Sequence, residues 1–138
     1  MIKLKKTLLD TLVNQLMLSG NKWKSELIIL KNFKTINKSE IKRLPDVVKL
    51  SIINSSPYFS LKKIQRKKKN PIEFPFLLSH KTKVLHGIKA LVKNSRHKKL
   101  SGELLNSSVF AGSSVNQKTN LHKESFLKKK LSSYRWFC

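Results

Sequence analysis

The chain has 138 residues, with 30 Lys and Arg against 7 Asp and Glu, for a formal net charge of +23. That length suffices for one hydrophobic core, and an apolar fraction of 39% stands well above disordered composition. Repulsion at such charge density opposes compaction, so the simplest resolution is a polyanionic partner: nucleic acid first, an anionic membrane surface second.

Several functions are excluded on the same grounds. Seven scattered acids leave little material for acid–base catalysis, and no phosphate-cradling glycine loop, carboxylate pair or nucleophile motif is present, so the chain reads as non-enzymatic. The lone cysteine, Cys138, excludes a disulfide framework within the chain. Of the four histidines only His80 and His86 are closely spaced, and no Cys or carboxylate joins them, so neither a metal nor another cofactor is expected. No apolar run reaches the ~18 residues that span a bilayer. The opening MIKLKK resembles a signal peptide, but Asp10, Asn14 and Gln15 interrupt the Leu-rich stretch behind it, which reads as part of the fold. The basic set is 26 Lys and 4 Arg. Lysine suits phosphate neutralisation, whereas the arginine fork suits reading of base edges. An AT-rich genome would also favour Lys, but it does not explain the scarcity of acids.

In chain order, Leu4, Leu8, Leu9, Leu12, Val13, Leu16 and Met17 fall on one helical face, and Gly20 is a stop signal. A second helix is predicted over about Lys24 to Ile36, with Leu27, Ile28, Leu30 and Phe33 offering apolar surface, after a basic joint Asn21-Lys22-Trp23-Lys24. Pro45-Asp46 reads as the first turn of a third helix. Val47, Val48, Leu50, Ile52 and Ile53 continue it to Ser55-Ser56-Pro57. The period then changes. Tyr58 to Leu61 and Ile72 to Leu77 have strand-like content, and the Lys-rich segment between them predicts a β-hairpin with a cationic tip. Pro75 predicts an irregular or edge position in the return strand. Helical spacing resumes with Val84, Leu85, Ile88, Leu91 and Val92, and a fifth helix is predicted within 99–110. Ala111 to Asn116 reads as a loop, and a final helix is predicted from about Gln117 to Leu131. The fold class is mainly α: about six helices in one bundle-like domain over 1–138, with a hairpin arm over about 57–78 and a C-terminal helix and tail over about 117–138.

Residues 62–99 carry thirteen Lys or Arg and one acid, Glu73. Ordinary solvated faces mix signs, so a basic hairpin followed by a basic helix predicts a polyanion-binding face. The candidates are Lys62, Lys63, Arg66, Lys67, Lys68 and Lys69 in the hairpin, then Lys81, Lys83, Lys89, Lys93 and Arg96 beyond it. Lys89, Lys93 and Arg96 lie about one helical turn apart, so they can follow one phosphate ridge. Lys22 and Lys24 form a further pair after the first helix. Trp23 either stacks on a base or sugar or caps the core. His122 is expected to make a structural hydrogen bond.

Several segments resemble a known family. Leu12-Val13-Asn14-Gln15-Leu16-Met17, Gly20-Asn21-Lys22 and Glu26 resemble the first helix and turn of small-subunit ribosomal protein seven. Asn54, Pro57 and Pro75 match the start and return of that family's hairpin. Lys89 to Arg96 resembles its fourth helix and Leu100-Ser101-Gly102-Glu103-Leu104 its fifth. Gly112, His122, Lys129 and Tyr134-Arg135-Trp136 match its C-terminal signature. The landmarks keep their order and spacing, nearly gap-free, across about 9–136.

The resemblance implies direct binding to the 3′ major domain of small-subunit rRNA and nucleation of head assembly. It implies a hairpin near the E-site tRNA and the mRNA exit, with small-subunit ribosomal proteins nine and eleven as neighbours. It also brings in Arg135 and Trp136 as RNA contacts, by fork-like pairing and stacking. No membrane or small-molecule partner is implied. The chain departs from the family pattern in three places. The basic N-terminal extension of bacterial members has no counterpart, the glycine-containing tip is replaced by Lys67-Lys68-Lys69, and the link between helices four and five is short. These departures and the Tyr-Arg-Trp-Phe ending point to a mitochondrial form, with a plastid or bacterial ribosome as the alternative location. A nucleoid-type, DNA-binding architectural protein is the alternative function.

Overall fold

The computed structural model describes residues 6–38, 43–66, 69–95 and 99–132. They form α1 (Lys6–Leu16), α2 (Lys22–Lys38), α3 (Leu44–Ser55), β1 (Phe59–Arg66), β2 (Lys69–Leu77), α4 (His80–Ser95), α5 (Leu100–Ser108), α6 (Ser113–Leu127) and the single turn α7 (Lys129–Ser132). The architecture is the expected mainly helical one, with a two-stranded antiparallel hairpin between the third and fourth helices.

Leu8, Leu9, Leu12, Val13 and Leu16 put one face of α1 on the core, with Leu12 and Val13 buried. The helix ends before a turn in which Ser19 and Gly20 both take positive φ, at 51° and 74°. Only glycine adopts that conformation without steric cost, which accounts for the stop.

α2 departs from expectation in extent and phase. It starts at Lys22, so the basic joint is its first turn, and it runs on to Lys38. Its buried face is Ser25, Ile29, Phe33 and Ile36, spaced four, four and three residues apart. Ile28 and Leu30 are exposed instead. In α3, Pro45 occupies the first turn and Val47, Val48 and Ile52 are buried, while Leu50 and Ile53 face outward.

The core joins Leu12 and Val13 of α1, Ile29, Phe33 and Ile36 of α2, Val47, Val48 and Ile52 of α3, Ile88, Leu91 and Val92 of α4, and Leu100 and Leu104 of α5. Each such side chain contributes about 1.5–3 kcal/mol by leaving water. α6 lies outside this cluster, against β1, α3, α4 and α5.

Two helix N-termini are capped from a distance. The backbone N–H of Ser101 in α5 donates to Asn32 Oδ1 of α2 at 3.0 Å. Glu103 of α5 receives Ser113 Oγ and the N–H and Oγ of Ser114, all in the first turn of α6. This explains why α6 begins at Ser113 and not near Gln117: the stretch expected to be a loop is held in a helix by a buried carboxylate ten residues upstream. Gly112 sits against that carboxylate, and a Cβ there would stand 3.0 Å from Glu103 Oε1. The predicted single final helix is divided, because α6 stops at Leu127 and α7 starts at Lys129.

The hairpin strands extend further into the basic segment than predicted, and Lys62 and Lys63 lie within β1. Their register pairs Phe59 with Leu77, Leu61 with Pro75 and Lys63 with Glu73. The irregularity falls between Ile64 and Arg66, not at Pro75. A two-stranded ribbon has an outer edge on each strand, so a residue lacking an N–H is tolerated there. Among the described residues no helix is long and apolar enough to cross a membrane.

Candidate nucleic-acid interface

Successive strand residues point to opposite faces, so Lys62 and Lys63 diverge. Lys63 Nζ lies 3.0 Å from Glu73 Oε1, across the hairpin. Lys128, between α6 and α7, donates to the other oxygen of Glu73. Lys128 first, and Lys63 second, hold the Glu73 carboxyl below its ordinary value of 4.5. The one acid of the basic region is therefore already engaged, and one of its two partners is a lysine from another part of the chain. Lys62 is exposed and makes no ion pair among the described residues. The strand ends Arg66 and Lys69 face each other in register beyond it.

At the root of the hairpin a second group forms around Tyr58. Its backbone N–H donates to His122 Nε2 of α6 at 3.0 Å, which is the structural hydrogen bond expected of that histidine. Burial, then the positive charge of Lys118, pushes the His122 pKa down. Accepting the Tyr58 N–H requires an unprotonated Nε2 with its lone pair directed at that amide. Phe59 meets the His122 ring edge-on at 5.8 Å. Two ammonium groups lie near the Tyr58 ring: Lys83 of α4 at 4.5 Å from its centroid and Lys118 of α6 at 5.6 Å. Lys118 also donates to the backbone carbonyl of Asn54 at 3.0 Å. Asn54 in turn donates through Nδ2 to the carbonyls of Ser107 and Ser108, tying the end of α3 to the end of α5. These contacts join hairpin root, α4 and α6 into one basic and aromatic corner.

α4 buries Gly87, Ile88, Leu91 and Val92 and leaves Lys81, Lys89 and Lys93 exposed. Its first turn carries Lys81 and Lys83 and no acid. The first turn of α2 likewise carries Lys22 and Lys24 and no acid. The helix dipole disfavours cations at an N-terminus, by about 0.3–1 kcal/mol each, so these placements do not serve helix stability. An external anion would reverse that cost. Lys22 is loosely paired with Glu26 at 3.9 Å, and both side chains are largely exposed. Trp23 is 69% exposed and so does not cap the core.

Lys62 and Lys63 lie on opposite faces of β1, and Lys81, Lys83, Lys89 and Lys93 lie on α4, from which Lys83 reaches the hairpin root at Tyr58. Lys22 and Lys24 stand apart at the start of α2. Lys67, Lys68, Arg96, Arg135 and Trp136 lie outside the described residues. Two residues of the corner carry no mark in the sequence. Tyr58 has only strand-like character there, and Lys118 sits in a segment with no local basic run. Their roles arise from contacts with partners 64 residues away, for which a linear pattern holds no signal. Among the described residues, no three His, Cys, Asp or Glu side chains gather as a metal site.

The family described as Ribosomal protein S7p/S5e matches residues 2–127. The chain belongs to this family. A relative in the same family, the small ribosomal subunit protein uS7 of Heliobacterium modesticaldum, is 27% identical over 132 residues, covering 91% of this chain and 84% of the relative. Family membership gives the protein a structural role in the small ribosomal subunit.

For a ribosomal S7p/S5e protein with this hairpin, the two neighbouring lysines of β1 should behave differently towards RNA. Lys62→Ala is expected to reduce the salt slope of RNA binding by about one, as removal of a single phosphate-neutralising charge does. Lys63→Ala should change it less, because that ammonium already faces Glu73. Affinity measured across a salt series checks this. Equal changes would place Lys63 on phosphate as well.

Proposed function

We propose that the chain binds small-subunit rRNA directly, in the 3′ major domain, and nucleates assembly of the subunit head. The observation that carries this reading is charge on α4 and β1 that has no ion pair among the described residues: Lys62, Lys81, Lys89 and Lys93 are exposed, and the one carboxylate of that region is engaged by Lys63 and Lys128. Such a surface neutralises a folded polyphosphate through counterion release. The hairpin reaches towards the E-site tRNA and the mRNA exit, with small-subunit ribosomal proteins nine and eleven as neighbours. This placement is supported by family membership and by the position of the hairpin between α3 and α4.

The site of action is the mitochondrial small subunit. Supporting this are the lysine-only tip, the Tyr-Arg-Trp-Phe ending and the short link between Ser95 and Leu100. Sedimentation of the tagged chain with mitochondrial small subunits is the expected result, and its recovery with plastid or bacterial subunits would overturn the location.

A nucleoid-type DNA-binding role is the second reading, favoured by the same charge. Competition separates the two. A transcript of the 3′ major domain should displace duplex DNA of equal length at a small fraction of the DNA concentration, and equal affinity for both would reject the rRNA reading.

A further inference from the structure

Beside the hairpin root, α4 and α6 enclose a groove of about 210 Å³. Its lining combines two chemistries. Pro57, Ala90 and Leu121 supply an apolar surface, and Lys89, Lys93 and Lys118 supply positive charge. No carboxylate lines it. Lys118 is half-buried, and burial pushes its pKa down. Among the described residues its ammonium has one hydrogen-bond acceptor, the carbonyl of Asn54, and so keeps donors to spare. Lys89 and Lys93 are one helical turn apart on α4 and make no ion pair among the described residues. The volume is below the roughly 300–1,000 Å³ of pockets for drug-sized ligands, so it suits one flat ring and excludes a duplex. Sequence-specific RNA recognition targets unstacked bases splayed from single-stranded loops and bulges. A base taken out of its stack can be held between apolar side chains, and lysines beside it neutralise the adjoining phosphates.

We propose that this groove seats one unstacked nucleotide of the bound rRNA, its base against Pro57, Ala90 and Leu121 and its phosphate on Lys89, Lys93 and Lys118. The inference rests on the rRNA-binding reading and deepens it. α4 then contributes more than a phosphate ridge, because its groove selects a position where the RNA is free to splay a base. Duplex RNA offers no such base, so a fully paired transcript forgoes this seat and keeps the hairpin contacts.

Filling the groove without touching its charge tests this. Full-length chains carrying Ala90→Leu or Ala90→Ser are titrated with a transcript of the 3′ major domain, with circular dichroism and thermal unfolding as fold controls. Ala90→Leu is expected to weaken binding severalfold, with the salt slope unchanged. Ala90→Ser, which leaves the space open, should bind within about twofold of the natural chain, and Lys93→Ala should lower the slope by about one. Natural binding by Ala90→Leu, or a fall in its slope matching that of Lys93→Ala, overturns the proposal. Photocrosslinking of the natural chain to a 4-thiouridine transcript needs no variant. Attachment within the peptides holding Pro57 or Leu121 is expected, and attachment at the hairpin alone removes the nucleotide seat while leaving rRNA binding intact. A natural chain that binds no rRNA at low salt overturns both readings.

Discussion

Replacing Lys67, Lys68 and Lys69 together by Ala is expected to lower the slope of log affinity for rRNA against log salt by about two to three, at ~0.7–0.9 for each phosphate no longer neutralised. A chain making six to ten such contacts loses roughly 10³–10⁵ in affinity between roughly 50 and 200 mM salt, so the variant should flatten that dependence visibly and bind more weakly at low salt. The substitutions remove no residue of the core, which is built from α1 to α5. Circular dichroism and the thermal midpoint are therefore expected to stay close to those of the natural chain. An unchanged slope with an intact fold would reject the role of the tip. The comparison with Lys63→Ala is informative, because Lys63 is engaged within the protein.

Glu103→Ala is expected to destabilise the fold by about 3 kcal/mol or more, read by urea unfolding. Glu103 is 2% exposed. Its Oε1 accepts from the Ser114 N–H at 2.9 Å, Ser114 Oγ at 2.6 Å and Ser107 Oγ at 3.3 Å, and its Oε2 from Ser113 Oγ at 2.9 Å. Hydrogen bonds to a charged group contribute about 1.5–3 kcal/mol each, and a buried donor left unpaired costs about 1–3 kcal/mol. The loss of several at once, at the first turn of α6, is not offset by the small gain in helix propensity from Ala.

The same group sets a pH dependence. Burial pushes the Glu103 pKa up, but the serine donors outweigh it, and the carboxyl titrates below its ordinary value of 4.5. A depressed folded pKa stabilises the folded state above the unfolded pKa, and that stability is lost as pH falls through the folded value. The natural chain should therefore lose stability progressively below about pH 4.5, whereas Glu103→Gln should be less stable at neutral pH and less sensitive to acid through that carboxyl. Equal pH profiles for the two chains would contradict the assignment.

Much of the fold is legible in the sequence because helical periodicity is a short-range signal. Spacing alone marks Leu12 and Val13 of α1, Val47, Val48 and Ile52 of α3, and Ile88, Leu91 and Val92 of α4 as core, and all are buried. The phase of α2 is not legible, because apolar residues occur around much of it. Ile28, Ile29 and Leu30 are adjacent, and only packing against the other helices decides that Ile29 goes inside. Leu50 and Ile53 of α3 mislead for the same reason. The first turn of α6 is hidden because Ser113 and Ser114 have weak helix propensity, and the carboxylate that holds them belongs to α5. In the interface, the basic run of the hairpin and the lysines of α4 are evident from composition. Which of them remain free is not.

The sequence by itself determined the charge, the order of helices and hairpin, and the family pattern, because each is carried by residue type and local spacing. Tertiary structure alone decided that Glu73 consumes Lys63 and Lys128, that Asn32 and Glu103 cap helices other than their own, and that Tyr58, His122 and Lys118 share one corner. Ion pairs, caps and ring contacts act over a few ångströms, and chain folding brings within that reach residues that lie as many as 69 positions apart.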